Sequence, residues 1–286
     1  MLAAPIRRCA TRRYADCLRG STLTILWATP VRQYASATLV SVPPELPLAD
    51  VHALLLKHDI SGVPVIDERG TLQGILTTTD LLRAARIEIS APRERPRITP
   101  PPRAAGDLMR RDVITVDEQA PLSEAAGAMV KHRIHRVVVT RAGVAVGVLS
   151  TRDAMRAVFQ ARLESPLERV MTAEVQTIDE GDPIRLAIER LDDANVRGLV
   201  VVDGRWPVGV FTHTEAIQAR ALPAMFLDSP VERVMSYETI CLDTHTPIYR
   251  AAGHAIQMRV RRILAVHDRE LRGVVSGFDL VRAMTL

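Results

Sequence analysis

Four times along this chain a glycine and two apolar residues lead to a hydroxyl that is followed, three residues on, by a carboxylate: Thr77 and Asp80, Ser150 and Asp153, Thr212 and Glu215, Ser276 and Asp279. An ionised carboxylate only accepts hydrogen bonds, whereas a hydroxyl donates and accepts. At the start of a helix such a pair can serve as a cap over unbonded N–H groups. It can equally line a ligand site, because those same N–H groups suit a phosphate. Recurrence does not separate the two readings, since a structural cap would recur too. Basic residues stand upstream at a matching place: His135-Arg136, Arg197 and Arg261-Arg262. Guanidinium forks match phosphate and carboxylate geometry. The chemistry on offer is anion binding. No Walker A loop, Rossmann fingerprint, GxSxG elbow or HExxH helix is present, so the chain reads as a binding protein and not an enzyme. His132 and His135 have a spacing used by some metal sites, but no cysteine or carboxylate cluster joins them, and no metal is expected.

The elements that position these groups come from an internal repeat. Short strands lead each copy, with reference positions at Ser41, Thr115, Thr177 and Cys241. Six residues later comes a proline (Pro47, Pro121, Pro183, Pro247), placed to open a helix at its first turn. The following apolar residues, such as Leu122, Ala125, Ala126, Met129 and Val130, keep the spacing of an amphipathic helix. A β-rich run follows, then a turn, then a strand beginning at Gly74, Gly147, Gly209 or Gly273, and the hydroxyl motif opens a second helix. The unit is β-α-β-β-α, and the fold class is α/β (α+β).

The copies span 36–87, 107–160, 165–222 and 229–286, with a Pro- and Arg-rich linker at 88–106 that should be extended. The segments ESPLERVM (164–171) and DSPVERVM (228–235) suggest capping boxes, Ser165 with Glu168 and Ser229 with Glu232. Residues 1–35 carry six arginines against Asp16, a bias seen in presequences, disordered tails and misplaced start codons. All but two of the 37 basic residues are arginine, the lysines being Lys57 and Lys131. A net charge of only +4 with 3% aromatic residues argues against nucleic acid. Cys9, Cys17 and Cys241 form no zinc or disulfide pattern, so a reducing, cytoplasmic setting is the default. No run of 18 apolar residues predicts a membrane span, and the repeats use up the length that a regulated domain in the same chain would need.

The pieces SGVPVID with GILTTTD, IHRVVV with GVLSTRD, VRGLVVVD with GVFTHTE, and VRRILAVHD with GVVSGFD resemble the CBS domain family. The resemblance covers residues 36–286. It implies two Bateman modules, copy one with two and copy three with four, with clefts that take AMP, ADP, ATP or S-adenosylmethionine as ligand and no obligatory cofactor. It implies ribose hydroxyls held by Asp80, Asp153, Asp279 and the longer Glu215. Thr77, Ser150, Thr212 and Ser276 would meet phosphate, and Ser41, Thr115 and Thr177 the base. His135, Arg136, Arg197, Arg261 and Arg262 would reach phosphates, and Val63, Val137, Leu199 and Ile263 would wall the adenine. Copy one has Ser61-Gly62 at the basic position and would borrow charge from its partner copy. A regulatory protein that signals to an unidentified protein partner, and a homodimer through exposed module faces, are further implications. A scaffold with empty clefts and a nucleic-acid binder are the alternatives.

Overall fold

Amphipathic spacing and β-branched runs place the elements of each copy. The computed structural model describes residues 27–36, 38–193, 196 and 198–284. First helices are Leu48–Lys57, Leu122–His132, Ile184–Asp193 and Ile248–Gln257. The antiparallel strand pairs are Gly62–Ile66 with Leu72–Thr77, Arg136–Arg141 with Val144–Ser150, Gly198–Asp203 with Trp206–Thr212, and Arg262–His267 with Glu270–Ser276. Second helices are Thr78–Ala84, Thr151–Gln160, His213–Arg220 and Gly277–Arg282. In copies two, three and four a leading strand (Thr115–Asp117, Thr177–Asp179, Thr239–Asp243) adds in parallel, while copy one has a single bridge, Val42 to Val65. Pro47, Pro121 and Pro247 sit one position earlier than expected, as the residue before the helix.

The strands are buried on both faces, which is why they read as continuous apolar runs. Leu199 and Val201 point into the helix-side core of copy three, while Val200 and Val202 join Val210 and Leu264 between the sheets of copies three and four. Side chains alternate with period two, so a step of one residue changes the face.

Between the sheets, each copy hands an arm to its sister. The carbonyl of Thr29 accepts from the Leu122 N–H, Arg103 from Leu48, Ser165 from Ile248 and Ser229 from Ile184, all at 2.8 to 2.9 Å. Seven residues further on, Ser36, Arg110, Thr172 and Ser236 pair with the outer strand of the same sister copy, opposite Val148, Ile75, Val274 and Val210. Copy one thus exchanges arms with copy two, and copy three with copy four. Three expectations change as a result. Residues 29–35 belong to an arm and not to a tail, with Val31 and Tyr34 buried in the core of copy two; residues 1–26 lie outside the described residues. The Ser165 and Ser229 capping boxes do not form, because Pro166 and Pro230 precede those short 3-10 helices with no side-chain cap, and each serine carbonyl is committed to the sister helix. The linker folds back on itself, Arg86–Glu88 pairing antiparallel with Arg97–Thr99.

The two modules meet through helices. Copies two and four share one continuous core, in which Ala157 and Val158 lie with Ala251, Ala252 and Ala255. The cores of copies one and three remain separate.

The recurring glycine marks the place where an arm crosses. A Cβ on Gly273 would lie 2.7 Å from Met171 Sδ and 2.9 Å from the Thr172 carbonyl, and Gly209 and Gly74 meet Met235 and Met109 in the same way. Gly273→Ala should lower stability by about 1–3 kcal/mol through overpacking. Gly127→Ala, mid-helix with nothing near its Cβ, should raise it by about 0.5–1 kcal/mol. Paired denaturant titrations read both signs.

Candidate functional site

In every copy the hydroxyl and the carboxylate close on each other at the start of the second helix. One oxygen of Asp80 accepts from the Thr77 N–H (3.1 Å) and hydroxyl (2.5 Å). Asp153 accepts from Ser150 at 2.9 and 2.6 Å, and Asp279 from Ser276 at 2.8 and 2.7 Å. Glu215 takes the Thr212 N–H at 2.9 Å and also its hydroxyl. The capping role is therefore real and uses one carboxylate oxygen, along with the hydroxyl proton that a phosphate would have used. The second oxygen distinguishes the copies. In Asp153 and Asp279 it has, among the described residues, a single contact, 3.5 Å to Arg156 and 3.4 Å to Arg282, each one turn along its own helix. In Asp80 it is held by both Nε and Nη2 of Arg110, at 3.1 and 2.9 Å.

The basic residues gather where the modules meet. Arg136 lies opposite Ser150 on the neighbouring strand and reaches across its module to donate to Ser61 Oγ at 2.6 Å. Copy one, which has no charge of its own there, receives one from copy two. Gly62 makes the room, since a Cβ there would fall 1.9 Å from Arg136 Nη1. Burial, and then the nearby Arg261 guanidinium from the other module, push Arg136 down to about 10, against a smaller upward pull from Asp80. The His135 ring packs on Phe278 of copy four with centroids 4.2 Å apart. Arg259 pairs with Asp59 across the modules at 2.9 Å. Arg262 lies opposite Ser276. Arg197 lies outside the described residues.

Val63, Val137, Leu199 and Ile263 do not wall a cleft. Each is buried in the helix-side core of its copy. The face turned to the sister sheet belongs to the next residue along, as Val200 and Leu264 show. The expectation was one residue out of phase, in runs where both faces are apolar. Thr115, Thr177 and Cys241 register opposite Val138, Val200 and Leu264, and so stand on the sheet-to-sheet face; Ser41 is exposed beside the Val42 bridge. Thr177 also borders a cavity of about 300 Å³ with Val202, Arg205, Glu270 and Arg272, at the opposite strand end from Thr212. Burial raises the Cys241 thiol. Sequence reasoning missed Arg110, Ser61 and Phe278. Arg110 had a signal: the arms read MRRD, MTAE and MSYE (109–112, 171–174, 235–238), and only one has arginine after the methionine. Among the described residues Asp243, His245 and His267 also cluster, outside the nucleotide-type positions, and no helix there is long and apolar enough to cross a membrane.

The CBS domain family matches this chain four times, at residues 31–87, 105–160, 167–222 and 231–286. Uncharacterized protein MJ1404 of Methanocaldococcus jannaschii is 23% identical over 272 residues, which are 88% of this chain and 61% of that protein, so the chain spans less than two thirds of this relative. The crystal structure of an uncharacterized conserved protein from Pyrococcus horikoshii aligns over 90% of this chain and 100% of its own, with a TM-score of 0.65 and 21% identity. Protein MJ1225 of M. jannaschii, described as a candidate archaeal homologue of γ-AMPK, aligns over 89% of this chain and 99% of its own, with a TM-score of 0.69 and 14% identity. These two likenesses show the fold.

The lowered Arg136 value has a consequence with a definite sign. A cation whose folded pKa lies below its unfolded one is charged in both states at pH 7 and costs stability there; the cost is relieved only as pH rises past about 10. Arg136→Met keeps the aliphatic stem and should stabilise the ligand-free protein at pH 7 by roughly 1 kcal/mol. Calorimetric melting reads it, and an unchanged or lower Tm would show that the charge is already compensated.

Proposed function

Because this chain belongs to the CBS domain family, we propose that it is a regulatory, ligand-sensing protein that binds an adenine nucleotide or S-adenosylmethionine in the clefts between paired copies. The observation that carries this reading is Arg136, a partly buried guanidinium that reaches across its module to Ser61 Oγ and has the Arg261 guanidinium of the other module nearby. Two cations brought together in a desolvated place suit an anion, and a phosphate there strengthens both contacts. A sugar carrying that phosphate would find, at Asp153 and Asp279, a carboxylate whose inner oxygen is fixed by the cap and whose outer oxygen can accept from adjacent hydroxyls. The apolar sheet-to-sheet face offers the base a wall.

A ligand in such a cleft would carry its phosphate to where the modules meet, so its occupancy biases their placement by its differential affinity for the arrangements. A partner protein reads that change, and the chain itself performs no bond-making step. A homodimer through exposed module faces and a cytoplasmic setting complete the reading.

Titration calorimetry with AMP, ATP and S-adenosylmethionine tests it. One of the three should bind with micromolar to millimolar Kd and raise the Tm. Asp153→Asn and Asp279→Asn keep an oxygen for the cap while replacing the outer acceptor with a donor, so each should weaken or remove binding with the fold intact. No heat and no thermal shift with any of the three would remove the sensor reading.

A further inference from the structure

The four arms end at equivalent places. Ser36, Arg110, Thr172 and Ser236 each pair with a strand residue (Val148, Ile75, Val274, Val210) that lies five positions before the motif carboxylate of the sister copy. The arm therefore sets which side chain is carried at this register position of each sister copy. In three arms that side chain is a small hydroxyl; in the fourth it is an arginine, and it has closed on its carboxylate. Arg110 binds the outer oxygen of Asp80 through two nitrogens, while the inner oxygen is taken by the Thr77 cap. The Asp80 side chain is 9% exposed, against 19% for Asp153 and 14% for Asp279.

We propose that Arg110 is a built-in occupant of the Asp80 cleft, which closes that cleft to a ribose and leaves nucleotide binding to copies whose arm ends in a hydroxyl. This deepens the reading given under Proposed function and rests on it. Two guanidinium N–H groups converge on the single outer oxygen, the inner one being held by the cap, so the acceptor that ribose hydroxyls would use is already filled. Among the described residues the outer oxygens of Asp153 and Asp279 meet a one-point contact at 3.4 to 3.5 Å from a residue on their own helix, longer than either bond from Arg110. The Arg110 side chain is itself 60% exposed, so replacing it removes a surface ion pair of small value to the fold.

The test is calorimetric stoichiometry on the full chain, with whichever of AMP, ATP or S-adenosylmethionine binds the unmodified protein. Asp80→Asn should leave the number of sites and their Kd within twofold of the original. Arg110→Ser, which installs the residue of two sister arms, should add one site per chain, and that added site should vanish in Arg110→Ser/Asp80→Asn. Loss of a site on Asp80→Asn, weakened binding on Arg110→Ser, or an unchanged site count in a folded Arg110→Ser protein would each overturn the proposal. If Asp80→Asn fails to fold for want of its cap, Arg110→Ser alone decides. No binding by the unmodified chain would instead remove the nucleotide reading itself, an outcome distinct from all of these.

Discussion

A single backbone hydrogen bond, repeated four times, holds the architecture together: the carbonyl at the start of each arm accepts the first N–H of a helix in the sister copy. At three of those helices the preceding residue is a proline that makes no side-chain cap. A buried N–H left unpaired costs about 1–3 kcal/mol, so a copy standing alone lacks a group its own sequence does not supply. The smallest complete unit is the pair. The same arm then adds to the edge of the sister sheet, covering backbone groups that would otherwise stay open. In copy one the arm also brings Arg110 against the Asp80 carboxylate, so there the device that completes the fold reaches the motif as well.

The two modules are joined unevenly. Copies two and four share a continuous apolar core, whereas copies one and three keep separate cores. Near the junction the contacts turn polar and charged: Arg136 with Arg261, Arg259 with Asp59, His135 on Phe278. A continuous core resists sliding because close-packed side chains have few alternative fits. Charged contacts in water exchange at little cost. Arg136, Arg261, His135 and Phe278 belong to the same two copies that share this core, so under the proposed function an anion held there would sit beside the shared core.

Much of this was legible in the sequence because helix faces announce themselves. The spacing of Leu122, Ala125, Ala126 and Met129 leaves one reading, and those residues are buried as a set. The motif pairs were legible as well, though the cap and the ligand contact share one residue pattern and the structure shows that the cap takes one oxygen. The strand phase was not legible. In GLVVV every position is apolar, so no alternation tells Leu199 from Val200, and the wall was placed on the wrong face. The arms escaped notice for a different reason. Eight residues pairing with segments 26 to 112 positions away have no periodicity of their own, and Ser165 and Ser229, read locally, looked like caps for the helices that follow them. Arg110 stood out in sequence only as the arginine after the methionine in MRRD, and its contact with Asp80 emerged once the arms were set in spatial register.

The central claim is geometric: phosphate at the module junction, sugar on a motif carboxylate. A crystal structure of the chain grown with millimolar AMP tests it most directly. The account predicts a phosphate within hydrogen-bond reach of the Arg136 guanidinium or its counterpart Arg262, and ribose hydroxyls on the outer oxygen of Asp153 or Asp279. Nucleotide bound elsewhere on the surface, or clefts without nucleotide at that concentration, would contradict it.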